Sequence, residues 1–172
     1  RNVTGVQTCA LPILPDVLIV RHRRGYVMAN AGIDRSNVGR SDGKDWALLL
    51  PLDPDASAVK IRAHLGAQFG AAPGVLISDS FGRPWRLGTT NVALGAAGMP
   101  TLIDRRGEKD RYGRVLEVTE VAFGDAVASA AGLAMGEGAE GSPVIHIAGL
   151  TWTAPEQDAT ALFRPTKEDL FK

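Results

Sequence analysis

Two aspartates stand where an oxygen-liganded cation could sit. Asp79 directly follows the apolar run Gly74 to Ile77 and is flanked by the hydroxyls of Ser78 and Ser80. Asp34 lies in the polar, glycine-spaced stretch Ala31 to Asp42, beside Arg35, Ser36 and Asn37. Carboxylate and hydroxyl oxygens at a strand end suit a hard divalent ion such as Mg²⁺ or Mn²⁺. The competing reading is that both aspartates cap turns, which loop aspartates commonly do. Gly136 to Ser142 (GEGAEGS) could turn backbone N–H groups toward a phosphate. It lacks a Gly-x-x-x-x-Gly-Lys and follows a predicted helix rather than a strand, so it is no P-loop, and a simple connection competes. Arg83, Trp85 and Arg86 could form an anion clamp beside an aromatic surface, or a structural turn with Trp85 buried.

Other chemistries find little support. His22, His64 and His146 are scattered, with no His or Cys partner at zinc-ligand spacing, so solvated or core histidines are the better reading. No Gly-x-Ser-x-Gly elbow is present, and the one cysteine, Cys9, excludes a disulfide framework or a multi-cysteine metal site.

Composition narrows the class further. The 172 residues suit one domain, and 45% hydrophobic with 22% charged residues is globular. Lys+Arg and Asp+Glu are both 19, which removes the electrostatic case for a nucleic-acid or membrane-surface partner. No apolar run approaches the roughly 20 residues of a membrane span, and no convincing signal peptide is seen, so a cytoplasmic chain is expected. Asn2-Val3-Thr4 matches a glycosylation triplet by chance. Glycine, at 20 residues, exceeds the usual level of about 7%, consistent with tight turns and close backbone approaches.

The elements that must hold these residues follow from pattern. Val17 to Val20 reads as a buried strand, His22 to Gly25 as a turn, and Tyr26 to Ala29 as its partner strand. Asp53 is a suitable N-cap, Pro54 suits the first helical position, Asp55 complements the dipole, and Gly70 is a stop. Between them Ala58, Ile61, Leu65 and Phe69 recur at helical spacing. Gly74 to Ile77 reads as a strand that ends at the Ser78 to Arg86 cluster. Thr89 to Thr101 is undecided, Asp104 to Arg114 is a charged turn, and Val115 to Ala122 reads as a strand. Asp125 to Met135 is an alanine-rich helix, and Val144 to Ile147 a further strand. Interspersed elements without long regular crossovers favour α+β, with a mixed or antiparallel sheet and a few helices.

Taken together, ANAGIDRSN (29–37), DPDAS (53–57), SDSFGRPWR (78–86), DRRGEKDRYGR (104–114) and Met135-Gly136 resemble the coenzyme F420-0:L-glutamate ligase family, over about Leu14 to Lys172. The resemblance implies a GTP-dependent enzyme that joins L-glutamate to the terminal carboxylate of coenzyme F420-0 and extends it by γ-links. It implies GTP and Mg²⁺ or Mn²⁺, with K⁺ as a further candidate, and a homodimer. Asp34 and Asp79 correspond to ligands of one metal, and Ser80 to a ligand of a second. Asn37 corresponds to a nucleotide contact, and Met135, Gly136, Glu137, Gly138, Ala139, Glu140, Gly141, Ser142 and Pro143 to the GTP loop. Arg83 and Arg86 are candidate charge stabilisers. The implied chemistry is an acyl phosphate attacked by the glutamate amine.

Two departures stand against the family pattern. Glu137 follows the loop glycine where a lysine is common, placing a negative charge near the expected polyphosphate. Residues 1–13 do not resemble the family's N-terminal region and read as an unrelated join, leaving 14–172 as the ligase domain. Leu11-Pro12-Ile13 mimics a family nucleotide contact but lies too close to the Val17 strand. The chain as it stands is expected to bind GTP weakly and to turn over little.

Overall fold

A computed structural model of the chain describes the backbone of residues 6–9 together with residues 18–38 and 46–168. The Val17 start of the first predicted strand, the Leu11–Ile13 triplet and the far end of the loop running to Asp42 lie outside these.

Three strands open the chain: β1 (Val6–Cys9), β2 (Ile19–His22) and β3 (Val27–Ala29), in the order β1-β2-β3. Both pairings are antiparallel, with Val20 opposite Cys9 on one side and Met28 on the other. The expected turn closes through Gly25 N–H on the His22 carbonyl. After a short 3₁₀ turn at Asn30–Gly32, the backbone of Asp34 pairs with that of Leu48 in an isolated bridge.

Helix α1 (Pro54–Phe69) begins and ends where local chemistry dictates. Asp53 accepts from Ala56 N–H at 2.9 Å, Pro54 occupies the first turn, and Gly70 closes the helix in the left-handed region at φ 69°. Its spacing proved a weaker guide to burial: Ala58 is buried, but Ile61 and Phe69 are exposed. What seats α1 is polar. Asp55 Oδ1 accepts from Ala96 N–H at 3.0 Å and Ala159 N–H at 2.9 Å, while Oδ2 receives the Arg24 guanidinium at 2.9 Å.

The centre of the fold is the hairpin of β4 (Val75–Arg83) and β5 (Arg86–Ala97). It settles the undecided Thr89–Thr101 stretch as strand through Ala97. It also corrects the predicted strand end at Ile77: β4 continues through Ser78, Asp79 and Ser80 to Arg83, because β5 supplies a partner all along it. Both helices pack on β5, α1 over its C-terminal half and α2 (Phe123–Met135) nearer its start. Gly95 permits the first contact, since a Cβ there would meet the Pro54 carbonyl carbon at 2.3 Å. Tyr26, Met28 and Leu94 form the buried cluster, with Leu50, Ile77, Phe81 and Phe163 against it. The Tyr26 hydroxyl donates to the Leu94 carbonyl at 2.5 Å, and its ring meets Phe163 edge-on at 5.0 Å.

Two predicted strands do not form. In Val115–Ala122 only Glu120–Val121 (β7) forms a strand, paired with Ile103–Asp104 (β6); Val115 makes an isolated bridge to Lys109, and Val118 is exposed. Val144–Ile147 pairs with nothing among the described residues, and Val144 is 85% exposed. β-branched residues favour strands only where a neighbouring strand and a packed face are supplied by the rest of the fold. All ladders among the described residues are antiparallel and helices are interspersed, so the fold is α+β. Among the described residues no helix is long and apolar enough to cross a membrane.

Candidate functional site

Three segments distant in sequence meet at one edge of the hairpin. The first is the loop Asp34 to Asn37, fixed at its base by the bridge to Leu48, with N···O distances of 3.1 and 2.8 Å. Asp34 Oδ1 accepts from Ser36 N–H at 2.7 Å, an Asx turn that holds the loop. The second is β4 at Asp79 and Ser80, and the third is the connection that leaves α2 after Met135.

Asn37 ties the first to the third. Its side-chain amide donates to the Gly138 carbonyl at 2.8 Å, across 101 positions of sequence. Asn37 sits at φ 51°, a left-handed conformation that asparagine tolerates better than most residues.

Asp79 completes the meeting electrostatically. Burial pushes its carboxyl above the usual aspartate range, and the carboxylates of Asp34 and Glu137 raise it further, against the lowering bond from Ser80 N–H. That bond is 2.8 Å and uses Asp79 Oδ1. Oδ2 of Asp34 and Oδ2 of Asp79 have no hydrogen-bond partner among the described residues. The turn-cap reading and the cation reading are therefore compatible, since each carboxylate uses one oxygen locally and keeps another. No three His, Cys, Asp or Glu side chains among the described residues are close enough to enclose an ion by themselves. Two further carboxylates, Asp34 and Glu137, nevertheless act on the half-buried Asp79, and a hard cation would relieve that repulsion.

Pleating divides the strand residues. Asp79 pairs with Val92 and Ser80 with Asn91, and adjacent strand residues face opposite sides of the sheet. Asp79 and Ser80 thus face different sides of the hairpin.

The Met135 to Pro143 segment is built around its own acid. Gly136 caps α2 at φ 74°, its N–H on the Gly132 carbonyl. Glu140 folds back so that Oε2 accepts from Gly138 N–H at 2.8 Å. A Cβ on Gly136 would meet the Glu140 carboxyl carbon at 2.2 Å. The Gly138 N–H, a backbone donor of the expected phosphate loop, is therefore occupied by a carboxylate. Residue type alone could not reveal this, although Glu137 and Glu140 within one short glycine-rich run were the visible signal.

Arg83 and Arg86 lie at the hairpin tip, opposite each other across the turn Pro84-Trp85. Arg83 is four residues past Asp79, about 13 Å along the strand at 3.3 Å per residue. Its Nη2 reaches the Leu87 carbonyl at 3.5 Å. Trp85 takes φ 56° and is 87% exposed, so the buried alternative for it fails. A separate cavity of about 610 Å³ between α1 and the end of β5 is lined by Arg24, Asp55, Arg62 and Gln157. It shares no residue with the Asp34, Asp79 and Gly138 cluster, and its Asp55 is engaged in seating α1.

The F420-0:gamma-glutamyl ligase family model matches residues 4–149. Among curated proteins, the chain is 44% identical over 163 residues to the coenzyme F420:L-glutamate ligase of Methanopyrus kandleri, covering 92% of this chain and 63% of that protein. Enzymes of the same name from Methanocaldococcus jannaschii and Methanothermobacter thermautotrophicus are 43% and 46% identical, over 90% and 91% of this chain and 60% and 62% of theirs. The chain thus spans about three fifths of the length of these relatives.

Proposed function

This chain belongs to the F420-0:gamma-glutamyl ligase family, and from that premise we propose that it carries the metal and nucleotide side of a cytoplasmic, GTP-dependent ligase joining L-glutamate to coenzyme F420-0. The observation that supports this most is the Asn37–Gly138 hydrogen bond beside Asp79, which gathers the three motif segments at one place.

In this reading Asp34 and Asp79 hold one Mg²⁺ or Mn²⁺ and Ser80 a second, with K⁺ a further candidate cofactor. Such ions neutralise the phosphates and the charge that builds up during transfer. Glu137, read from sequence as a negative charge set against polyphosphate, lies beside Asp79 and adds a carboxylate for the cations. Asn37 and the Met135 to Pro143 loop orient the nucleotide, and Arg83 and Arg86 face developing phosphate charge from the hairpin tip. The coenzyme's carboxylate oxygen takes the terminal phosphoryl group of GTP, releasing GDP. The glutamate amine then displaces phosphate from the acyl carbon and loses its proton as the amide forms. Catalysis lies in positioning and charge stabilisation.

A homodimer accords with the apolar side chains left uncovered, including Leu49 at 70%, Leu52 at 91% and Leu87 at 100% exposure. The test is to incubate the chain with GTP, Mn²⁺, L-glutamate and coenzyme F420-0 and to follow product mass. A gain of one glutamyl residue supports the ligase. GTP binding without product identifies a catalytically incomplete metal and nucleotide module, and failure to bind GTP with Mn²⁺ refutes the reading.

A further inference from the structure

Asn91 is one of only two polar residues in the buried set of the described residues, at 8% exposure. It stands on β5 directly opposite Ser80, and directly opposed residues share a face of the sheet. On that face lies α2. Asn91 Nδ2 donates to the thioether Sδ of Met135 at 3.8 Å, where α2 gives way to the loop. Its Oδ1 lies over Gly132, where a Cβ would approach to 2.7 Å.

Neighbouring contacts fix the same register. Asp125, in the first turn of α2, accepts from Ala93 N–H at 2.9 Å. One turn later, the Ser129 hydroxyl donates to the Asn91 carbonyl at 2.9 Å and lies 3.0 Å from the Thr90 hydroxyl. Asp125, Ser129, Gly132 and Met135 therefore form one stripe of α2 laid on Thr90 to Ala93. A buried amide is a costly choice for packing alone, because a thioether is a weak acceptor and an apolar isostere would fill the space. Its placement, between Ser80 and the first residue of the loop, argues for another role.

We infer that Asn91 is a positioning residue, which sets the Met135 to Pro143 loop at a fixed distance from the Ser80 strand by gripping the last turn of α2. This rests on the proposed nucleotide role of the loop. Gly132 is the necessary counterpart, since any side chain there would push the helix end away from β5.

The experiment compares the full chain with Asn91→Leu, Gly132→Ala and Met135→Leu, by GTP titration calorimetry in Mn²⁺ and by amide hydrogen exchange. Asn91→Leu and Gly132→Ala should each weaken GTP binding by about 10-fold or more, the range seen when a supporting residue is lost. Exchange at 136–143 should accelerate while the first turns of α2 stay protected, a pattern that general destabilisation would not give. Asn91→Ser should partly restore affinity in the Gly132→Ala background by making room. Met135→Leu keeps the volume, removes the acceptor, and should reproduce the loop exchange even if Asn91→Leu fails to fold. Unchanged loop exchange and GTP affinity in these variants would overturn the inference. A parent chain that binds no GTP would instead sink the proposed function, and the exchange data would then decide the positioning role by themselves.

Discussion

The Asn37 side-chain amide donates to the Gly138 carbonyl at 2.8 Å, and so holds the Asp34 loop against the segment that follows α2. Both residues are exposed, so the bond adds little to global stability, and its consequence is local. Asn37→Asp keeps the size and the tolerance for φ 51° but removes the donor and adds a negative charge. It should weaken Mn²⁺-dependent GTP binding by about 10-fold or more while the melting temperature stays nearly constant. Calorimetric titration checks this, and wild-type affinity in the variant would dissociate the two segments functionally.

Asp79→Asn separates stability from function. Burial, and then the neighbouring carboxylates Asp34 and Glu137, raise the folded-state pKa of Asp79. Its ionised form is therefore a liability at neutral pH in the metal-free chain. The amide keeps an acceptor for Ser80 N–H. Removing the charge should raise the metal-free melting temperature by a few degrees and abolish the metal dependence of GTP binding. A variant that still binds GTP more tightly with Mn²⁺ would remove Asp79 from the metal site.

Glu140 competes with any phosphate for Gly138 N–H, which it holds at 2.8 Å. Glu140→Ala frees that donor and removes a charge from the loop. GTP affinity should rise by about 3- to 10-fold, the equivalent of one modest hydrogen bond. A fall in affinity would mean instead that Glu140 swings out to serve a cation.

Gly95→Ala tests the seating of α1. The new Cβ would stand 2.3 Å from the Pro54 carbonyl carbon and 2.6 Å from Asp55 N, both backbone atoms that cannot rotate away. The helix start would have to shift, breaking the Asp55 bonds to Ala96 and Ala159. Urea unfolding should show a loss of about 2–4 kcal/mol. A loss below about 0.5 kcal/mol, within the range of ordinary surface changes, would show that α1 is not anchored there.

Asp125 gives a pH dependence. Burial raises its folded pKa above the ordinary value of 3.8, although Ala93 N–H opposes the shift. Between those two pKa values the folded chain binds more protons than the unfolded one, so this residue's contribution to stability falls as pH rises through the window. Asp125→Asn should flatten that slope. Melting curves from pH 4 upward compare the two chains, and parallel profiles would exclude Asp125 as the source.

The sequence by itself determined whatever depends on near neighbours in the chain. Asp53, Pro54 and Gly70 bound α1 because caps act within one turn, and the motif segments around Asp34, Asp79 and Met135 identified the family. Tertiary structure decided the rest. Asp79 lies inside a strand rather than at its end because β5 pairs with β4 to Arg83, and pairing is a property of two segments. Val144 to Ile147 has strand-forming residues but pairs with no described strand, and residue type alone does not supply a partner. The repulsion at Asp79 exists only because folding brings Glu137 and Asp34 within electrostatic reach of it, and the Glu140 carboxylate covers the Gly138 N–H only because the loop turns back at Gly136. Electrostatic energies depend on distance and desolvation through space, and neither is written in residue order.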